Sequence, residues 1–158
     1  MTSPEASRRV VEAGRARGVE IDIREFPEGT KTSADAAAAI GCELSAIAKS
    51  IVLTLDDREQ VVVFASGDTR IDLKKLAAVA GAGKARRATL EEARRATGFA
   101  AGGTPPFGYP GPVRVFADHA LRRHDLVWAA GGRPTTVFPI LLSDLVRVAG
   151  AEWVRVSE

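Results

Sequence analysis

Ala48-Lys49-Ser50-Ile51-Val52-Leu53-Thr54-Leu55, then Asp56-Asp57-Arg58, then Glu59-Gln60-Val61-Val62-Val63-Phe64-Ala65-Ser66 is the stretch that decides the fold. Both long runs are rich in β-branched residues and almost continuously apolar, which is the pattern of buried strands. The charged triplet between them reads as a turn, so the two runs form a hairpin. Upstream, Ser3-Pro4-Glu5 opens a helix that ends near Gly18, with Ser3 as its cap. Residues 19–26 alternate apolar and polar like a half-buried strand, and Pro27-Glu28-Gly29 breaks it. Thr32-Ser33-Ala34-Asp35 resembles a capping box ahead of an Ala-rich helix to Ile40.

Downstream, Asp72 caps a helix that runs to Gly81, and Thr89-Leu90-Glu91-Glu92 is a capping box for another that ends at Gly98. Residues 102–112 form a loop saturated with Gly and Pro. Strands are expected over 113–117, 125–130 and 135–138, a helix over 139–149 and a short strand over 153–156. There is no internal repeat and no linker. The expectation is one α/β domain spanning 1–158, with about six or seven strands.

The 158 residues carry a net charge of +2, with 46% hydrophobic and 27% charged side chains, an ordinary globular composition. Cys42 stands alone and the histidines are His119 and His124, which excludes disulfide scaffolds and zinc fingers. No apolar run approaches the ~20 residues of a membrane span. The N-terminus has no apolar h-region, so the expected location is cytoplasmic with no membrane partner. Charge is uneven: residues 70–95 hold 8 basic and 3 acidic side chains, whereas residues 1–69 hold 8 and 12. Such a basic stretch is either a phosphate-contacting face or simply a solvated helix surface.

Lys49 opens a buried strand, so it either snorkels to solvent or points into a cleft, where it would hold a phosphate or a polarised carbonyl. The glycines of the 102–112 loop allow close backbone approach and its prolines stiffen it, which suits N–H groups presented to a substrate. The loop has no phosphate-loop spacing. His119 and His124 read as solvated surface groups, Cys42 as a small filler, and Trp128 and Trp153 as core. Asp118 caps the following turn or lines a cleft.

Ala48-Lys49-Ser50-Ile51-Val52-Leu53, Asp72-Leu73-Lys74-Lys75-Leu76, Thr97-Gly98-Phe99, Gly102-Gly103-Thr104-Pro105-Pro106-Phe107-Gly108 and Gly131-Gly132 together resemble the YbaK/prolyl-tRNA-synthetase-associated domain family. The resemblance runs from about Val10 to Val148. It implies a compact, strongly curved mixed sheet flanked by helices. It also implies trans-editing, the hydrolysis of a mischarged aminoacyl-tRNA, most often Ala- or Cys-tRNA-Pro.

Residue by residue, the resemblance makes Lys49 the essential lysine and Gly102 and Pro106 the ends of a GxxxP loop that positions the aminoacyl group. Phe26, Ser50, Gly103, Thr104, Pro105, Phe107, Gly108, Asp118 and Gly131 would bind substrate, and Lys74, Lys75, Arg86 and Arg87 would face RNA. No metal, cofactor or protein nucleophile is implied; the 2′-OH of the terminal adenosine helps activate water. Prolyl-tRNA synthetase is a candidate partner. The other reading of the same fold is a non-catalytic adaptor that binds tRNA or a synthetase. Two departures bear on the amino acid accepted: Pro105 stands where many relatives have Ser, and Phe26 where some place an aromatic hydroxyl.

Overall fold

A computed structural model describes residues 4–30, 32–100 and 102–158; the expected cap Ser3 lies outside them. Helix α1 (Pro4–Arg15) is followed by β1 (Arg24–Glu25), α2 (Ser33–Ile40), β2 (Ala48–Leu55) and β3 (Glu59–Ser66). Next come α3 (Leu73–Ala80), β4 (Ala85–Arg87), α4 (Leu90–Thr97) and β5 (Arg114–Asp118). Strands β6 (Leu126–Ala130) and β7 (Thr136–Leu141), helix α5 (Leu142–Ala149) and β8 (Glu152–Val154) complete the chain. Short 3₁₀ turns occupy Leu44–Ala46 and His119–Arg123. No helix among the described residues is long and apolar enough to cross a membrane.

The quoted hairpin forms in full, with Ala48 opposite Ser66 and Leu55 opposite Glu59. Asp56 and Asp57 both adopt left-handed φ, 51° and 57°, a conformation that short polar side chains tolerate best. The Asp56 carboxylate anchors the turn by accepting from the Gly83 and Lys84 N–H groups. Strands β4 and β3 flank β2 antiparallel, and β5 and β8 add parallel, giving the five-stranded order β4-β2-β3-β5-β8. A second sheet has the order β1-β7-β6. The fold is therefore mixed α/β, and among the described residues it has eight strands in two sheets rather than six or seven in one. A single parallel bridge, Ile47 to Trp128, joins the sheets where β2 begins.

The near-continuous apolar run is explained by cover on both faces. On one, Val62, Phe64 and Ala48 pack with Phe99, Phe138, Leu121 and Leu145. On the other, Leu53, Leu55, Val61 and Val63 pack with Leu76, Phe116 and Val156. A fully buried side chain of this size contributes roughly 1.5–3 kcal/mol. A third, smaller cluster of Ala36, Ala37, Ile47 and Val137 seats α2 against the second sheet, with Phe26, Cys42 and Trp128 at its margin.

Three local expectations change. The alternation at 19–26 buries Ile21, but only Arg24 and Glu25 find strand partners, Val137 and Thr136 of β7, although β7 itself continues to Leu141. Alternation reports which side faces the core, not whether a hydrogen-bonding edge is within reach. Helix α5 starts at Leu142 rather than at Pro139, which belongs to β7 opposite Trp128. The missing N–H is harmless there, because it faces the edge that β1 leaves open. Strand β4 was not expected: three residues, two of them Arg, carry no apolar alternation.

Candidate functional site

On the edge of β2, β4 pairs as far as Leu53, and the Ala88 N–H donates to the Val52 carbonyl. The next partner along that edge is Trp128, at Ile47. The uncovered stretch between them opens a cleft of about 390 Å³. Its floor is Ala48 to Val52 of β2. One side is Trp128, Ala129 and Ala130 of β6 with Val137 of β7; the other is Arg87, Ala88, Leu90 and Ala93. Thr30, Thr32, Ser33 and Ala36 line it at the start of α2, and Gly102 and Thr104 line it from the glycine-proline loop.

Lys49 is partly buried in this floor, and its ammonium makes no ion pair or hydrogen bond among the described residues. Its pKa lies below the usual lysine range, first because burial disfavours the cation and then because Arg87 and Arg70 repel it. Asp68 pulls the other way, but that carboxylate is already taken. It accepts from Arg123 Nη2 at 2.7 Å and Nη1 at 3.0 Å and from the Ser66 hydroxyl at 2.9 Å, which holds its pKa at about 2. The cleft therefore contains a positive charge with no protein counter-charge of its own, the electrostatics of an anion-seeking site.

Beside Lys49, the Ser50 hydroxyl oxygen is shut off from solvent and has no hydrogen-bond partner. The Tyr109 hydroxyl donates to the Pro105 carbonyl at 2.7 Å. Burial pushes the Tyr109 phenol far above the usual tyrosine range, and nearby Ser50 draws it back only in part. Tyr109 is the chain's one tyrosine, so an absorbance titration reads it alone. We expect no ionisation until well above the pH at which free tyrosine ionises; an ordinary midpoint would put this hydroxyl in water.

The sequence model of the aminoacyl-tRNA editing domain family matches residues 27–148, and so takes in the cleft floor, both sides and the loop. This chain belongs to that family. The uncharacterized protein YwhH of Bacillus subtilis (strain 168) is 32% identical over 140 residues, 88% of each chain. A solved structure proposed to be a trans-editing enzyme for prolyl tRNA synthetase is 36% identical, with a TM-score of 0.90 over 100% of this chain and 99% of that one. The structure of the hypothetical protein APE2540 is 29% identical, with a TM-score of 0.87 over 95% of this chain and 99% of that one.

Of the residues expected at the editing site, Lys49, Ser50, Gly102, Thr104 and Arg87 line the cleft. The rest of the loop stands behind it. Pro105, Pro106 and Phe107 are buried, Phe107 with its ring centroid 5.8 Å from that of Phe138. Gly103 is pressed so closely on the Arg133 backbone that a Cβ there would come within 2.6 Å of the Arg133 carbonyl carbon. Gly108 turns at φ 93° over the Arg9 carbonyl. Gly131 is buried with Thr136 Oγ1 where a Cβ would project. Pro105, Pro106, Phe107 and the three glycines shape the loop and its seat and do not line the cleft.

Four expectations place residues away from the cleft. Asp118 is fully buried, and its carboxylate accepts from the N–H groups of Ala120, Val156 and Ser157, so it is a structural cap. Phe26 packs at the margin of the third cluster and is not on the cleft wall. Lys74 and Lys75 stand on α3, where Lys75 Nζ donates to the Ser157 carbonyl. Arg86 is bound bidentate to Glu92, at 2.8 and 2.9 Å, and also to Asp57 at 2.9 Å.

Other residues escaped the sequence reading. Trp128 sits in an apolar strand and reads as core, yet it lines the cleft and also carries the Arg24 guanidinium 5.0 Å from its ring centre. Leu90 reads only as the first residue of a helix, yet it is 75% exposed at the cleft, an apolar side chain standing in water beside Arg87. His124, read as solvated, is mostly covered and lies 2.7 Å from the Ser45 hydroxyl, outside the cleft.

Proposed function

We propose that this chain is a trans-editing deacylase that hydrolyses mischarged aminoacyl-tRNA, with Ala- or Cys-tRNA-Pro as the expected substrates. The uncompensated Lys49 cation in the floor of a small cleft is the observation that carries this reading. The cleft suits a small aminoacyl group with part of the terminal adenosine, and Lys49 suits the polar and phosphate groups of that end. Backbone N–H groups at Gly102 and Thr104 would meet the oxyanion as water attacks the ester carbon. The water oxygen becomes part of the released carboxylate, one of its protons passes by way of the neighbouring 2′-OH, and the 3′-oxygen leaves as a hydroxyl. Positioning of water and ester supplies much of the rate, so no protein nucleophile is required. Synthetase pockets separate amino acids differing by a methylene by only ~1–3 kcal/mol, which is why such a second sieve is useful.

A panel of tRNA-Pro charged with Ala, Cys, Ser or Pro tests the reading. Hydrolysis of Ala- or Cys-tRNA-Pro above the buffer rate, with Pro-tRNA-Pro spared, supports it. Salt-dependent binding of tRNA without hydrolysis would instead favour the adaptor. Prolyl-tRNA synthetase as partner and the cytoplasm as location belong to the same proposal.

Of the basic stretch, Arg87 lies at the cleft whereas Arg86 is held by Glu92 and Asp57. Arg87→Glu is therefore expected to weaken tRNA binding and flatten its salt dependence. Arg86→Ala should lower the melting temperature and leave affinity unchanged. Filter binding at several salt concentrations separates the two; equal losses of affinity would place both on the RNA.

A further inference from the structure

We propose that Tyr109 is a positioning residue for the editing reaction, acting through the loop rather than on the substrate; this rests on the deacylase reading above. Among the described residues, the only hydrogen bond made by any part of 102–108 is the one that the Pro105 carbonyl accepts from Tyr109. The loop cannot secure this segment itself, because Pro105 and Pro106 have no N–H to donate. Everything else that holds it is packing: Gly103 against Arg133 and Phe107 against Phe138.

The phenol also lies close to Ser50, the β2 residue next to Lys49. Its one proton goes to Pro105, which leaves the phenol oxygen as an acceptor facing the Ser50 hydroxyl, a group with no other partner. Tyr109 therefore stands between two parts of the cleft, the loop residues Gly102 and Thr104 and the floor residues Lys49 and Ser50. An enclosed phenol that stays un-ionised remains a donor at every working pH, which suits a fixed strut rather than an acid or base. Loop N–H groups matter only when charge develops on the carbonyl oxygen. A loosened loop therefore costs rate rather than substrate affinity.

Tyr109→Phe removes one oxygen and keeps the ring. On the charged-tRNA panel, kcat should fall about tenfold, with KM changed less than about twofold and melting temperature nearly kept. Unchanged kcat and KM would overturn the proposal, and so would a loss confined to KM. If Tyr109→Phe does not fold, the wild-type chain carrying 3-fluorotyrosine at its single tyrosine decides. Its fluorine resonance should shift when a non-hydrolysable 3′-amide analogue of alanyl-adenosine is added, and a resonance that stays in place while the analogue binds overturns the role. A wild-type chain that hydrolyses none of the panel sinks the deacylase reading, and the reaction role of Tyr109 with it; a normal wild-type rate with an unaffected Tyr109→Phe sinks the positioning role alone.

Discussion

Lys49→Ala is expected to slow deacylation by about a hundredfold while the protein stays folded, the loss typical when the group that holds the reacting end in place is removed. The two halves of that result have separate causes. The rate falls because Lys49 is the cation in the cleft floor that no carboxylate neutralises, since Asp68 is engaged by Arg123 and Ser66. Stability holds because no acid loses a partner when the ammonium is removed, and the repulsion from Arg87 and Arg70 is relieved. Single-turnover hydrolysis and a thermal melt read the two halves. Full activity in Lys49→Ala would remove the residue from the mechanism. A related pH effect has a definite sign. With its pKa below the usual lysine range, Lys49 discharges earlier as pH rises, so tRNA affinity should weaken before ordinary lysines titrate.

Gly103→Ala is expected to cost roughly 1–3 kcal/mol of stability and about a hundredfold in rate. The added Cβ would lie 2.6–2.9 Å from three backbone atoms of Arg133. Backbone cannot swing aside as a side-chain tip can, so the loop or the turn before β7 must move. Either movement displaces Gly102 and Thr104 from the cleft. For a chain of this length the melting temperature should drop by roughly 2–12 °C. Gly111→Ala is the control: nothing lies within 4 Å of a Cβ there, and the substitution should be silent. Equal behaviour of the two variants would show that the loop is not wedged against Arg133.

Much of this molecule was legible in local sequence because local physics decides it. Thr89 and Glu92 form the reciprocal cap that their spacing promises, Asp72 caps α3, and Thr32 caps α2. The apolar hairpin is buried on both faces as its continuous hydrophobicity requires. Lys49 and the glycine-proline loop stood out because a charged side chain in an apolar strand and a stiffened loop are both unusual residue choices.

The remainder depended on distances between segments far apart in the chain. Arg86 and Arg87 are equivalent as letters; strand β4 turns one toward Glu92 and Asp57 and leaves the other at the cleft. Asp118 could have served a ligand until the segment at Val156 and Ser157 supplied the N–H groups that occupy it. Trp128 has the surroundings of a core residue, and only the gap between β4 and the Ile47 bridge exposes it to the cleft. The sequence by itself determined the helices, the hairpin and two parts of the site, because caps and hydrophobic periodicity act over a few residues. The tertiary structure alone decided which cations stay uncompensated and which walls enclose Lys49, because charge neutralisation and cavity shape are set by neighbours in space.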